Sequence, residues 1–212
     1  MENNFNNFDN QDLSLRKSTI IQERINLIST HMYKQYLEYE KSMLNMNEVF
    51  SKMKSNIGVI IDSLKQSFSS RGIATQNINY EIDSSGTVIV INILWHQISI
   101  LIRYNDFPQA LKREEERMFA SRIIAIQGNY FEILKKVKDN DIEPILEFET
   151  ASLYIPSEKS KPAIMKIKGL NKESPQSQID APRDFLLKVI ELVCGGGLEH
   201  KEWVKKNITF DI

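Results

Sequence analysis

Residues 32–53, MYKQYLEYEKSMLNMNEVFSKM, place methionine and aromatic side chains at helical spacing and contain neither glycine nor proline. The surrounding region, 13–68, also lacks proline, and Gly58 is its single glycine. Apolar residues recur there at steps of three and four, forming a line that we call the apolar seam: Ile21, Ile25, Ile28, Met32, Tyr36, Tyr39, Met43, Met46, Phe50, Met53, Ile57, Ile60 and Leu64. This spacing predicts a coiled-coil-like helix, about 84 Å long if it is continuous.

A helical hairpin is the alternative for this region, because the two asparagines of LNMNE (44–48) are poor helix formers that could mark a turn. The apolar seam passes through this segment without a change of phase, which favours the continuous helix. We therefore predict a helical region over 11–71, preceded by a disordered, asparagine-rich tail over 1–10.

Beyond the helical region, residues 72–212 show short apolar runs separated by turn-forming residues, as expected for a sheet. Period-two and β-branched runs predict strands over 75–83, 87–95, 98–106 and 143–156. The first three of these strands form an antiparallel meander, and its second turn is predicted at His96–Gln97.

Helical periodicity returns in two later segments. A helix is predicted over 108–138, and a shorter one over 182–194, before the glycines at 195–197. Between them, residues 157–183 are rich in proline, serine and lysine and predict an exposed loop with a short strand at 163–168. The predicted fold class is α+β: a long N-terminal coiled-coil-like helix (or helical hairpin), followed by an antiparallel β-meander with helices packed on one face.

Composition excludes several classes of protein. A net charge of −1 gives no general attraction to nucleic acid or anionic lipid. Cys194 is the single cysteine, which excludes an internal disulfide framework and indicates a reducing, cytoplasmic location. The apolar run 88–102 is shorter than the roughly 20 residues of a spanning helix, so we expect no membrane association. Frequent isoleucine, asparagine and lysine, which have AT-rich codons, indicate a bacterial or phage source.

Acidic residues on the predicted strands are the catalytic candidates, namely Asp83, Glu147 and Glu149. Carboxylates on adjacent strands hold Mg²⁺ in metal-dependent nucleases. The alternating pattern EFE at 147–149 is equally typical of the solvated face of a sheet. No spacing typical of a metal site, a nucleophile elbow or a phosphate loop occurs, so we expect no cofactor and favour a protein without enzymatic activity.

A lysine-rich segment, 157–172, carries five lysines and one glutamate. Its candidates for contact with nucleic-acid phosphates are Lys159, Lys161, Lys166 and Lys168. Aromatic residues that could stack on bases are not interleaved with them, so a solubilising loop is the alternative interpretation.

The apolar seam supplies the candidate partner-binding residues, which are Met32, Tyr36, Tyr39, Met43, Met46, Phe50 and Met53. Methionine is flexible and suits adaptable interfaces. The predicted helix has more apolar length than a small sheet can cover, which favours a homodimer or a protein partner. The alternative is a helix packed entirely on its own domain.

These observations lead to a functional hypothesis. The protein is expected to be a non-enzymatic assembly or adaptor subunit of a larger bacterial complex, in a setting such as phage defence, secretion or DNA processing. One alternative is a nucleic-acid-binding protein or metal-dependent nuclease that uses the acidic and lysine-rich residues. Another is an inhibitor or chaperone that sequesters a protein partner.

Overall fold

The computed structural model describes residues 5–103, 120–136, 147–169 and 173–195. Within these residues the helices are α1 (Phe5–Ser69), α2 (Tyr130–Lys136) and α3 (Ala181–Cys194). The strands are β1 (Ile78–Ile82), β2 (Val88–Ile93), β3 (His96–Arg103), β4 (Ala120–Gln127), β5 (Glu149–Pro156), β6 (Ala163–Ile167) and β7 (Glu173–Gln176). They form one antiparallel sheet in chain order, which confirms the predicted α+β meander.

Helix α1 is continuous over 65 residues, about 98 Å, so the hairpin alternative is wrong. Its bounds are Phe5–Ser69, so the described part of the predicted tail, residues 5–10, lies within the bounds of this helix. The glycine within it has a packing role. A Cβ atom at Gly58 would lie 3.3 Å from the hydroxyl oxygen of Tyr80, so glycine lets the helix lie close to β1.

The main core lies between one face of the sheet, helix α3 and the C-terminal half of α1. Four buried residues of α1 belong to the predicted apolar seam, namely Met46, Phe50, Met53 and Ile57. Val49 and Ile61 beside the seam are buried as well, whereas the seam members Ile60 and Leu64 are half-buried. Helix α3 adds Phe185, Leu186 and Val189, and the strands contribute mainly isoleucine. The C-terminal half of α1 and the sheet thus share one hydrophobic core.

The opposite face of the sheet carries a smaller apolar cluster, made of Val88, Val90, Leu101, Ile124 and Ile126. Tyr130 and Ile133 of α2 pack against this cluster. Helices α1 and α3 therefore cover one face, as predicted, and the short helix α2 lies on the other.

The turn between β2 and β3 differs from the prediction. Ile93 pairs with His96, so the loop is Leu94–Trp95 and not His96–Gln97. Leu94 has a φ of 57°, which is uncommon for a residue other than glycine. The predicted turn is two residues too late because neither Leu94 nor Trp95 is a usual turn former. The apolar pattern therefore runs through the turn without a break.

The predicted helix 108–138 is wrong over Ala120–Gln127, which form β4. Ile123, Ile124, Ala125 and Ile126 are all buried, since β4 is an interior strand with apolar contacts on both faces. A continuous apolar run of this kind cannot be distinguished from a buried helix by periodicity. The C-terminal part of the predicted helix is confirmed, because residues 130–136 form α2. Residues 108–119, 137 and 138 lie outside the described residues.

The later elements largely follow the prediction. Within the predicted strand 143–156, β5 begins at Glu149, and residues 143–146 lie outside the described residues. Strand β6 and helix α3 are confirmed, and α3 ends at Cys194 with Gly195 as its C-cap. The predicted loop 157–183 also contains the edge strand β7, in which Pro175 is tolerated because an edge strand leaves one side unpaired. None of the described helices has the length and apolar character needed to cross a membrane.

Candidate functional site

The N-terminal half of α1 extends beyond the core and carries exposed apolar side chains. In the projecting segment, which we define as residues 18–41, every side chain from 18 to 34 is exposed. Six members of the apolar seam lie here. Tyr39 is half-buried, and the other five are each more than half exposed; we call these five the exposed seam: Ile21, Ile25, Ile28, Met32 and Tyr36. Their spacing of four, three, four and four residues aligns them along one side of the helix. Several of them line a shallow groove together with Ser29 and Tyr33.

Polar side chains of the projecting segment bond along the helix. Gln22 donates to Asn26 at 3.2 Å, the hydroxyl of Tyr36 donates to Glu40 at 2.6 Å, and His31 lies 3.0 Å from the amide nitrogen of Gln35. The hydrogen bond to Glu40, together with its negative charge, raises the pKa of Tyr36. These contacts between neighbouring turns leave the exposed seam uncovered.

Buried polar contacts hold α1 where it leaves the sheet. The amide of Asn45 donates to the backbone carbonyls of Pro156 at 3.0 Å and Ser157 at 2.8 Å. The hydroxyls of Ser42 and Ser121 lie 2.8 Å apart. Glu38 accepts a 2.5 Å hydrogen bond from Ser157, which lowers the pKa of Glu38 against the opposing effect of partial burial. These contacts fix the direction of the projecting segment.

The predicted partner-binding residues fall into two groups. Met32 and Tyr36 are exposed, and Tyr39 and Met43 are half-buried. The other three, Met46, Phe50 and Met53, are fully buried in the main core of this chain. The exposed candidates therefore lie in the N-terminal part of the apolar seam. Sequence reasoning did not name Ile21, Ile25 and Ile28 as site residues, although the same spacing identifies them.

The acidic candidates are not brought together. Asp83 closes the β1–β2 turn, where its carboxylate accepts backbone N–H groups of Ser85, Thr87 and Val88 at 3.1, 2.8 and 2.7 Å. Partial burial opposes ionisation, but hydrogen bonds from the Ser85 hydroxyl and these amides leave the pKa of Asp83 below its usual value. Glu147 is exposed just before β5. In the described part of the chain, no three His, Cys, Asp or Glu side chains are placed to hold a metal ion.

Glu149 belongs to a polar cluster on the face of the sheet opposite the main core. Both of its carboxylate oxygens accept from Arg122 Nη2 at 2.6 Å, and it also accepts from the hydroxyl of Ser152. Arg122 Nε donates to that hydroxyl at 2.9 Å. The guanidinium carbon of Arg122 lies 5.6 Å from the ring centre of Tyr154, and Lys166 Nζ lies 5.2 Å from the same ring. Glu149, Arg122 and Ser152 are thus joined in one hydrogen-bonded group.

The candidate lysines lie in separate intramolecular contacts. Lys159 Nζ lies 2.5 Å from a Glu48 carboxylate oxygen, Lys161 Nζ lies 3.3 Å from Glu158, and Lys168 Nζ donates to the backbone carbonyl of Glu147 at 2.7 Å. The hydrogen bonds from Lys159 and Lys52, with their charges, lower the pKa of Glu48 to about 2. Two of the candidate lysines are thus paired with carboxylates, which reduces the positive charge available to a phosphate backbone.

Comparison of the chain with protein-family models, curated proteins and solved structures finds no match in any of the three. The structure alone therefore defines the class: an α+β protein with a meander sheet and a helix that projects from its core. Within the described residues, the exposed seam is a continuous line of large exposed apolar side chains along that helix.

Cys194 is expected to react slowly with alkylating reagents. Burial raises the pKa of its thiol from 9.0 to about 11, so the thiolate population near neutral pH falls about 100-fold. Iodoacetamide labelling at pH 8 should accordingly be about 100-fold slower in the native protein than in the same protein unfolded in guanidinium. Equal rates in the two states would contradict the half-buried position of this thiol at the end of α3.

Proposed function

We propose that the protein is a non-enzymatic assembly or adaptor subunit that associates with a protein partner through its projecting segment, residues 18–41. The observation that carries this proposal is the exposed seam, a line of large apolar side chains on a helix that extends beyond the core. Helices in water owe most of their stability to packing of an apolar face, so an uncovered segment of this kind gains stability when a partner covers it.

The size of the exposed seam supports this role. Complete burial of a large apolar side chain contributes about 1.5–3 kcal/mol, so covering five half-exposed side chains contributes roughly 5 kcal/mol per chain. If the partner buries a comparable apolar surface, the stabilisation from the two surfaces together reaches the range of the free-energy cost of association, about 4–15 kcal/mol.

Charge favours a protein partner over nucleic acid or a membrane surface. The projecting segment contains three basic residues, Arg24, Lys34 and Lys41, and three acidic residues, Glu23, Glu38 and Glu40. A neutral helix does not attract phosphate backbones or anionic lipid. The single cysteine, Cys194, fits a reducing compartment, and we propose a cytoplasmic bacterial complex as the setting.

The nuclease and nucleic-acid-binding alternative has less support. Asp83 bonds to a turn, Glu149 bonds to Arg122, and Lys159 contacts Glu48. The inhibitor or chaperone alternative uses the same exposed seam as the assembly proposal. It differs in predicting that the activity of the bound partner falls on binding.

Site-specific photo-crosslinking in cells that express the protein tests the proposal. A photoreactive residue at Met32 should yield adducts larger than the single chain. The matched control is Thr30, which is also exposed but lies about 160° around the helix from Met32, and it should yield far fewer adducts. Equal yields at both positions, or no adduct at Met32, would contradict the proposed role of the exposed seam.

A further inference from the structure

We propose that the outer edge of β1 binds an extended segment of a second protein, which joins the sheet as a further strand. This surface is separate from the exposed seam, so the inference goes beyond the proposed function and does not rest on it. It follows from the backbone groups of β1, from the side chains beside this edge and from the carboxylate of Glu81.

The backbone of β1 has hydrogen-bonding groups that face away from the sheet. Strand β1 is the first in the sheet order, and no described strand pairs with its outer side. The N–H group of Asp83 donates to the carbonyl of Val88, its opposite residue in the next strand, at 3.1 Å. Backbone groups alternate in direction along a strand, so the odd-numbered residues of β1 face β2. The N–H and C=O groups of Tyr80 and Ile82 therefore face outward, at the spacing that an extended strand matches.

The two edges of the sheet differ in their protection against strand addition. Edge strand β7 contains Pro175, which has no N–H group to offer to a further strand. Strand β1 contains neither proline nor lysine, and its register with β2 runs over all five residues without a bulge. Proteins use such features to keep an edge free of other chains, so their absence from β1 indicates an edge that accepts a strand.

The apolar side chains beside this edge indicate the kind of segment that fits. Tyr80 and Ile82 lie on the face of β1 that packs toward the main core, because residues two apart share a face. Ile82 is 39% exposed, whereas Ile89, its opposite residue on β2, is fully buried. An added strand with an apolar residue beside Ile82 would extend this layer of the core and cover the exposed side chain.

Glu81 indicates the charge of the segment. It is the single charged residue of β1, it is exposed, and within the described residues it forms no ion pair. Its opposite residue on β2 is the apolar Val90. Opposite charges on neighbouring strands attract, so a lysine or arginine on the added strand would pair with Glu81. The inferred segment therefore alternates apolar and polar residues and carries a basic residue on its polar side.

Photo-crosslinking in cells that express the full chain tests the inference. A photoreactive residue at Ile82 should form an adduct with a different protein. In that background Glu81→Lys should lower the adduct yield about fivefold, because it places like charges on neighbouring strands. Glu147→Lys is the matched control, since Glu147 is also an exposed glutamate, and it should leave the yield unchanged.

A second pair of variants tests recognition of the backbone. Tyr80→Pro removes an N–H group that faces outward and leaves the bonds between β1 and β2 in place. Tyr80→Ala removes the same side chain and keeps the N–H group. The adduct at Ile82 should be lost with proline and largely retained with alanine. Circular dichroism checks that each variant folds, and the Glu81 and Glu147 pair decides the question if the proline variant does not.

Several results would overturn the inference. These are the absence of an adduct at Ile82, equal yields in Tyr80→Pro and Tyr80→Ala, and equal yields in Glu81→Lys and Glu147→Lys. An adduct with twice the mass of this chain would also overturn it, because the bound strand would then belong to a second copy. Adducts at Met32 report on the exposed seam and adducts at Ile82 report on the edge of β1, so failure of either proposal leaves the other standing.

Discussion

Met46→Ala should lower the free energy of unfolding by about 3 kcal/mol, whereas Met32→Ala should change it by less than about 0.5 kcal/mol. The two methionines occupy the same apolar seam of the same helix, but Met46 is 0% exposed in the main core and Met32 is 61% exposed on the projecting segment. Truncating Met46 removes buried surface and leaves a cavity beneath α1, while truncating Met32 does neither. Urea unfolding at protein concentrations low enough to keep the chain monomeric measures both values.

Phe50→Ala extends this comparison, since Phe50 is among the largest fully buried side chains and its truncation should cost about 4 kcal/mol. Leu44→Ala is a second control, because Leu44 is exposed on the same stretch of helix and should cost little. Similar losses for Met46→Ala and Met32→Ala would mean that α1 is not divided into a core half and an exposed half.

Glu149→Leu should lower the free energy of unfolding by about 3 kcal/mol, the second large effect expected. Arg122 and Glu149 are each less than one-fifth exposed and are joined by hydrogen bonds from one guanidinium nitrogen to both carboxylate oxygens. Removing the carboxylate takes away an acceptor of two short hydrogen bonds from this partly buried guanidinium, and breaking one side of such a pair costs far more than the net contribution of the intact pair. Urea unfolding of the variant against the parent provides the value.

The double variant Glu149→Leu with Arg122→Met should recover most of the lost stability, because both charges are then absent. Glu147→Leu serves as the control for Glu149→Leu, since Glu147 is exposed and its replacement should be nearly neutral. If Glu149→Leu were also neutral, the structural role that we assign to this carboxylate would be wrong, and Glu149 would again be a candidate for chemistry.

The long helix could be predicted from sequence because its apolar seam keeps one phase from Tyr36 to Leu64 and no proline interrupts it. The same pattern could not show where the core ends along the helix. Exposed Ile25 and buried Met46 both fit the repeat, and only the extent of the sheet decides which is covered. The partner-binding residues accordingly stay a prediction: Met32 and Tyr36 are exposed, whereas Phe50 lies in the core.

Other differences have local causes. The sequence of β4 predicted a helix because an interior strand, which has apolar contacts on both faces, lacks the alternation of apolar and polar residues that identifies a strand. The β2–β3 turn could not be located because Leu94 adopts a positive φ without the usual turn residues. The low helix propensity of Asn45 suggested a turn in the hairpin alternative. Its side-chain amide instead donates to two backbone carbonyls at the end of β5, and this tertiary contact outweighs the propensity.

Amide hydrogen exchange of the full chain tests the central claim most directly, namely that α1 combines a core half with an exposed half. Amides of residues 46–61 should exchange only through global unfolding. Amides of residues 18–36 should exchange much faster in the isolated chain, because no packed side chains protect them. Equal protection of 18–36 and 46–61 in the isolated chain would contradict the division of α1 into these two halves. Rapid exchange of 46–61 would contradict the shared core.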